Sequence, residues 1–327
     1  MLDHNLQPIM NACQSLGQCA ADIAELMARQ PRFFVFSILI SGMYARLLRW
    51  DRVGCVVSRR IGISEQPEVL HEFLRRFSKT CPVDRGYDTS FRRAPEGYER
   101  LFYQVVSAHV SSQLGIVGDA LEEAVQEHYE PGNLYTVDVL QHGTPVAVEN
   151  IRSFLVSRPV VSSLVLISRG TKGFWAVDLS TSQLVFMKDT WRTRASNPLE
   201  ADTLKLLAAS GIEHIPSVVW YGDVPLEPVQ DRHRCSCKCI REPDFAITLR
   251  ATFTWFLLGF QETRTDEIIR CLGASNEVTT QMTFSVPTLR HHRLILGTVG
   301  YGFKHVQGSR ELLHAAYDVY KGKQRSL

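Results

Sequence analysis

"SRGTKGFWAVDLSTSQLVFMKDTW", residues 168–191, reads as a glycine turn, a strand, a polar turn and a second strand ending in a lysine. Gly170 and Gly173 precede the first strand. A residue without a Cβ lets backbone amides approach phosphate oxygens, so Gly170, Thr171, Lys172 and Gly173 suit a phosphate-holding loop. The same glycines also suit a plain turn, the commoner use of so short a pattern. In "QLVFMK" the two-residue period of a strand puts Leu184, Phe186 and Lys188 on one face. Lys188 can bury its stem there and aim its ammonium at a polyphosphate, or simply snorkel at a strand end, as most such lysines do.

The stretch "SNPLEADTLKLLAASGI" (196–212) follows. Asn197 suits an N-cap, Pro198 the first helical position and Gly211 the stop, so a helix is expected between them. Glu200 lies three residues after Asn197 and can close a capping box. It can equally be the helix glutamate that ion-pairs with a strand lysine and holds it against a nucleotide.

Before the hairpin the pattern is mixed. Ile9, Cys13, Leu16, Ala20, Ile23 and Leu26 recur at helical spacing and predict an amphipathic helix ending before Pro31. The apolar runs at 32–40, 43–50 and 55–58 read as strands. Pro67 opens a helix with Val69, Leu70, Phe73, Leu74 and Phe77 as its stripe. Residues 79–100 read as a long loop and 101–130 as mixed, mainly helical. We divide the chain into an N-terminal region, 1–155, and a second region, 156–327.

At 327 residues the chain has length for about two domains. A net charge of +2, with basic residues spread along the chain, gives no reason to expect a nucleic-acid or anionic-membrane partner. No apolar run reaches the roughly 18–20 residues of a spanning helix, and "MLDHNLQPIMNACQ" has no secretory pattern. The expectation is an intracellular protein, cytoplasmic or nuclear. Its eight cysteines are then expected as reduced thiols. Cys235, Cys237, Cys239 and Cys271 could supply four thiolates to Zn²⁺, but C-x-C-x-C is tighter than a zinc knuckle and no metal site is expected. His291 and His292, adjacent on a strand, point to opposite faces and are expected at the surface.

The order glycine turn, strand, strand with lysine, helix with glutamate is that of a protein-kinase small lobe. The wording is similar to one family. The stretches "FVFSILISGMYARLLRWDRVGCVVS" (34–58), "FLRRFS" (73–78), "RGYD" (85–88), residues 168–192, "GIEHIPSVVWYGDV" (211–224) and "HHRLILGTVGYGF" (291–303) together resemble the fungal-type protein kinases. The resemblance implies an α+β fold: a kinase-like small lobe, an antiparallel sheet with one packed helix, behind a mixed α/β N-terminal region. It implies Gly170 to Gly173 as the phosphate loop, Lys188 as the nucleotide-binding lysine, Glu200 as its partner, and residues 293–300 as the last strand and hinge.

Phosphoryl transfer needs a catalytic-loop Asp, a nearby Asn and a second Asp for Mg²⁺, all after the hinge. No His-Arg-Asp or Asp-Phe-Gly occurs in the sequence, and "DRHR" (231–234) and "PDFA" (243–246) precede the hinge. The expectations are therefore a lobe cut short before its catalytic half, no catalytic residues, weak ATP binding at most, and no Mg²⁺ held by this chain alone. Residues 225–260 lose the family wording and read as a non-family insert, for example translated intron. Three readings stay open: a truncated, catalytically incompetent kinase; a nucleotide-binding or interaction module whose protein partner covers the missing lobe's face; and a defective gene product.

Overall fold

The computed structural model of the protein describes residues 7–194, 198–225 and 288–301, with Leu313, Ala316 and Tyr317 of a helix near the C-terminus. The Asn197 cap, the body of the proposed insert and Cys235, Cys237, Cys239 and Cys271 lie outside the described residues.

The fold is α+β. Helix α1 (Gln7–Arg29) follows its helical apolar spacing and stops before Pro31. Its Ile23, Ala24 and Met27 pack on Val35, Leu48 and Trp50 of a small sheet. That sheet holds β1 (Val35–Ser41), β2 (Tyr44–Asp51), β3 (Gly54–Val57) and β4 (Ile61–Gly62), with β3 and β4 sharing one edge of β2. Its other face is closed by helix α2 (Pro67–Lys79), whose Phe73 sits with Leu47 and Ile61. The region expected as a loop at 79–100 contains a short strand, β5 (Phe91–Arg93), and the first turn of helix α3 (Gly97–Leu114), which α4 (Asp119–Gln126) follows. Three residues are too few to show a period, which is why β5 was not legible.

The second sheet has seven strands in the order β10-β11-β9-β8-β7-β6-β5. Beyond β5 these are β6 (Tyr135–Leu140), β7 (Ile151–Ser162), β8 (Lys172–Asp178), β9 (Leu184–Thr193), β10 (Val218–Asp223) and β11 (Leu289–Leu296). Every pairing is antiparallel. β7 runs unbroken across residue 155, so strands from both halves of the sequence share one sheet.

The sheet curls until β10 lies beside β6. The indole N–H of Trp220 donates to the Val139 carbonyl at 2.9 Å, and the His142 amide donates to the Tyr221 carbonyl at 2.8 Å. Strand alternation then gives an inner face and an outer one. Val137, Val139, Phe154, Val156, Phe174, Ala176, Val185, Met187 and Ile295 fill the interior. Outside, α3 and α4 cover Leu155, Trp175 and Val177, while α5 (Glu200–Ala209) packs Ala201 against Leu294 and Leu296. Among the described residues no helix is long and apolar enough to cross a membrane.

Helix α5 starts two residues later than the sequence suggests. Glu200 is its first residue, and Asp202 closes the cap by accepting the Leu199 N–H at 3.3 Å. Glu200 is therefore not needed for capping. Gly211 ends the helix as expected, at φ +73.

His291 and His292 do lie on opposite faces, but both are buried, not at the surface. His291 Nε2 meets Asp189 at 2.6 Å and His292 Nδ1 meets Asp223 at 2.8 Å. These carboxylates come from 102 and 69 residues away, so no local pattern reveals them. Asp223 also accepts from Arg192 and Arg290, tying β9, β10 and β11 together on the outer face.

Candidate functional site

β9 and α5 bring two of the sequence-derived site residues together. Lys188 Nζ donates to Glu200 Oε2 at 2.6 Å and to Oε1 at 2.8 Å. The side chains are 26% and 48% exposed. A pair this open adds little to stability, about 0–1 kcal/mol, so its geometry is not explained by folding energetics. It fixes the Lys188 ammonium on the outer face of the sheet, with both carboxylate oxygens of Glu200 accepting from it.

The four loop residues do not converge on that ammonium. β8 pairs with β9 so that Gly173 faces Lys188, while Lys172 faces Asp189. Neighbouring residues point to opposite sides, so Lys172 enters the interior end of the curled sheet and Lys188 stays outside. There Lys172 Nζ donates to the Gln30 carbonyl at 3.2 Å. Thr171 and Thr190 share a hydroxyl hydrogen bond at 2.8 Å.

At neither glycine is the direction of a side chain open. Gly170 has φ +50, and a Cβ there would lie 2.5 Å from Arg52 Nε. A Cβ on Gly173 would lie 2.6 Å from the Phe186 ring. A side chain at either position would require that neighbour to move, and at Gly170 the positive φ adds backbone strain.

The outer face beside Lys188 is aromatic and covered. Trp175 is buried and stacks on His128, with centroids 3.6 Å apart and planes at 7°. Tyr301, just beyond β11, approaches the same indole edge-on at 5.1 Å. Phe102, Val106 and Val110 of α3, one helical turn apart, press on this group from the other side.

A second concentration of charge was missed by the sequence reading. Arg293, fully buried on β11, donates from Nε to Asp189 Oδ2 at 3.0 Å and from Nη2 to Asp88 Oδ2 at 2.8 Å. Its other Nη donates to the Asp138 carbonyl at 3.0 Å. Burial acts to raise both carboxyls, yet the adjoining Arg293 and His291 hold Asp88 and Asp189 below the usual carboxylate range. Asp88, Asp189 and His291 place ligand-type atoms within 4.8 Å of one another. The guanidinium of Arg293 already bridges the two carboxylates, which leaves this triad poorly suited to a cation.

The fold thus defines an α+β protein whose curled antiparallel sheet carries a strand lysine clasped by a helix glutamate. Over residues 3–327 the chain matches the family model described as fungal protein kinase, and it belongs to that family. No curated protein and no solved structure matches it.

Proposed function

We propose that this chain is the kinase-like small lobe of a fungal-type protein kinase, with Lys188 and Glu200 as its nucleotide-phosphate pair. The observation that carries the reading is the two-pronged ion pair between β9 and α5. It has the partners expected of a kinase strand lysine and helix glutamate. Family membership across the chain supports it.

Nucleotide affinity is low in this reading, for a steric reason. In the kinase patterns Gly-x-Gly-x-x-Gly-x-Val and Val-Ala-Ile-Lys, period two puts the Val and the Ala on the face of the Lys. Aligned on Gly173 and Lys188, those places are taken here by Trp175 and Phe186. Large rings replace small side chains, and α3 closes over them. A nucleotide reaches Lys188 when α3 and α4 yield. Catalysis by these residues alone is absent in this reading, because they include no His-Arg-Asp and no Asp-Phe-Gly to supply a base and Mg²⁺ ligands.

Calorimetric titration with ATP, with and without Mg²⁺, tests the site. We expect weak binding by the wild type, little gain from Mg²⁺, and a loss of at least about tenfold in Lys188→Ala, the scale of one lost charge-assisted contact. Equal binding by wild type and variant would remove Lys188 from the site.

A further inference from the structure

Behind the hairpin, on the face opposite Lys188, the curled sheet opens into a cavity of about 80 Å³. It lies between the interior ends of β8, β9 and β11 and the segment that leaves α1, with Arg52 and Gly170 at one side. Phe91, Tyr135, Phe174 and Trp191 form its apolar wall. Mouths of curled sheets are common places for small ligands.

The charges lining this cavity do not balance. Arg52 is 2% exposed, yet among the described residues its Nε has no hydrogen-bond partner. Its Nη1 reaches the Val165 carbonyl at 3.4 Å, a long contact, and no carboxylate lies within ion-pair distance among the described residues. Lys172 has the Gln30 carbonyl and likewise no ion-pair partner among them. Arg32, at the same cavity, donates to the Gln30 side chain at 2.6 Å and to the Arg85 carbonyl at 3.1 Å. The nearby carboxylates, Asp88 and Asp189, are engaged by Arg293, with His291 on Asp189 as well.

Arg29, at the cavity's rim, is paired with Glu25 at 2.6 Å; setting that pair aside and counting Arg293 with its two aspartates, four cationic side chains face two carboxylates, an excess of two positive charges. Burying the Arg52 guanidinium uncompensated beside the half-buried Lys172 ammonium is costly unless something anionic joins them. Burial pushes the Lys172 ammonium down to about 8, opposed by Asp189 and reinforced by Arg52.

We infer that this cavity is a binding site for a small, doubly charged oxyanion, a phosphate group, held by Arg52, Lys172 and Arg32. The guanidinium of Arg52 presents a planar donor edge suited to phosphate oxygens, and Lys172 adds a point charge. An 80 Å³ space has room for several waters or one tetrahedral anion. The apolar wall favours a phosphate that arrives on a small molecule, but the recognising chemistry is the same for the free ion. This site is separate from the Lys188–Glu200 pair and stands or falls independently of nucleotide binding there.

The test is thermal unfolding of the full chain in rising inorganic phosphate, and separately in glycerol phosphate, at ionic strength held constant with chloride. We expect a saturable upward shift of several degrees in the wild type and in Lys188→Ala, and none in Arg52→Met or Lys172→Met. Lys172→Met removes a half-buried, desolvated charge without an ion-pair partner among the described residues, so it should melt cooperatively and at higher temperature in phosphate-free buffer, which keeps it a usable control. A shift with both ligands, stronger for the ester, assigns the site to a phosphorylated small molecule; a shift with inorganic phosphate alone assigns it to the free ion. No shift in the wild type, or an equal shift in Lys172→Met, overturns the proposal.

Discussion

Lys172 and Lys188 sit sixteen residues apart in the sequence, the first in the expected phosphate loop and the second as the expected nucleotide-binding lysine. The register of two strands separates them. Lys188 is held on the outer face by Glu200, whereas Lys172 is half-buried on the inner face with its pKa depressed by desolvation from 10.5 to about 8. The sign of the consequence follows from linkage. Below pH 8 the ammonium is charged in folded and unfolded states alike, and its burial weighs against folding. Between pH 8 and 10.5 the folded chain sheds a proton that the unfolded chain keeps, so stability rises with pH. Lys172→Met should therefore be more stable than wild type at pH 7, by about 3 kcal/mol at most. That advantage should shrink to nothing as pH rises through this window, as read by urea unfolding of both proteins at each pH. A difference that stays flat from pH 7 to 10 would mean the ammonium is already compensated. Gly170 belongs to the same local structure. Its positive φ and the guanidinium laid against it both disfavour a side chain, so the residue that suggested a phosphate loop is explained by Arg52.

Among the elements, α3 bears most directly on nucleotide binding. Val106 is fully buried in the layer that includes Trp175 and Val177. Val106→Ala should cost about 2 kcal/mol of stability through lost burial and a small cavity. If part of that loss falls on docking of α3 to the sheet, the open form becomes more populated, and apparent ATP affinity rises about tenfold by the population-shift relation. A variant that is less stable yet binds ATP more tightly would distinguish a cover from ordinary core packing. Unchanged affinity alongside the stability loss would show that α3 does not gate Lys188. The elements also show what a single sequence can reveal. α1, α2, β1 to β3 and the β8–β9 hairpin were legible because their apolar periods are local. The start of α5 was misplaced because Pro198 suits a first helical position, whereas the helix waits for Leu199 and Asp202 to form its cap. The burial of His291 and Arg293 was illegible because both depend on carboxylates brought in by topology, in one case from 205 residues away.

For the molecule as a whole, the decisive step is closure of the seven-stranded sheet, which makes one interior from strands on both sides of residue 155. Closure depends on how closely β10 approaches β6. At Gly222 a Cβ would lie 1.8 Å from the Leu140 carbonyl oxygen and 3.2 Å from the His142 nitrogen. Backbone, not a movable side chain, occupies that space. Gly222→Ala must push the two strands apart, which strains the Trp220–Val139 and His142–Tyr221 hydrogen bonds at the seam. Two such bonds contribute about 1 kcal/mol each, and forced separation of a packed interior adds roughly 1–3 kcal/mol. A loss of about 3–5 kcal/mol is expected in denaturant unfolding, with faster hydrogen exchange at the His142 amide. The interior wall of the proposed phosphate cavity depends on the same closure through β8, β9 and β11. The variant should therefore also weaken the phosphate-induced thermal shift, although it touches no residue of the cavity. Normal stability and protected exchange at His142 would mean that β10 and β6 are not in contact and that the sheet is open between them.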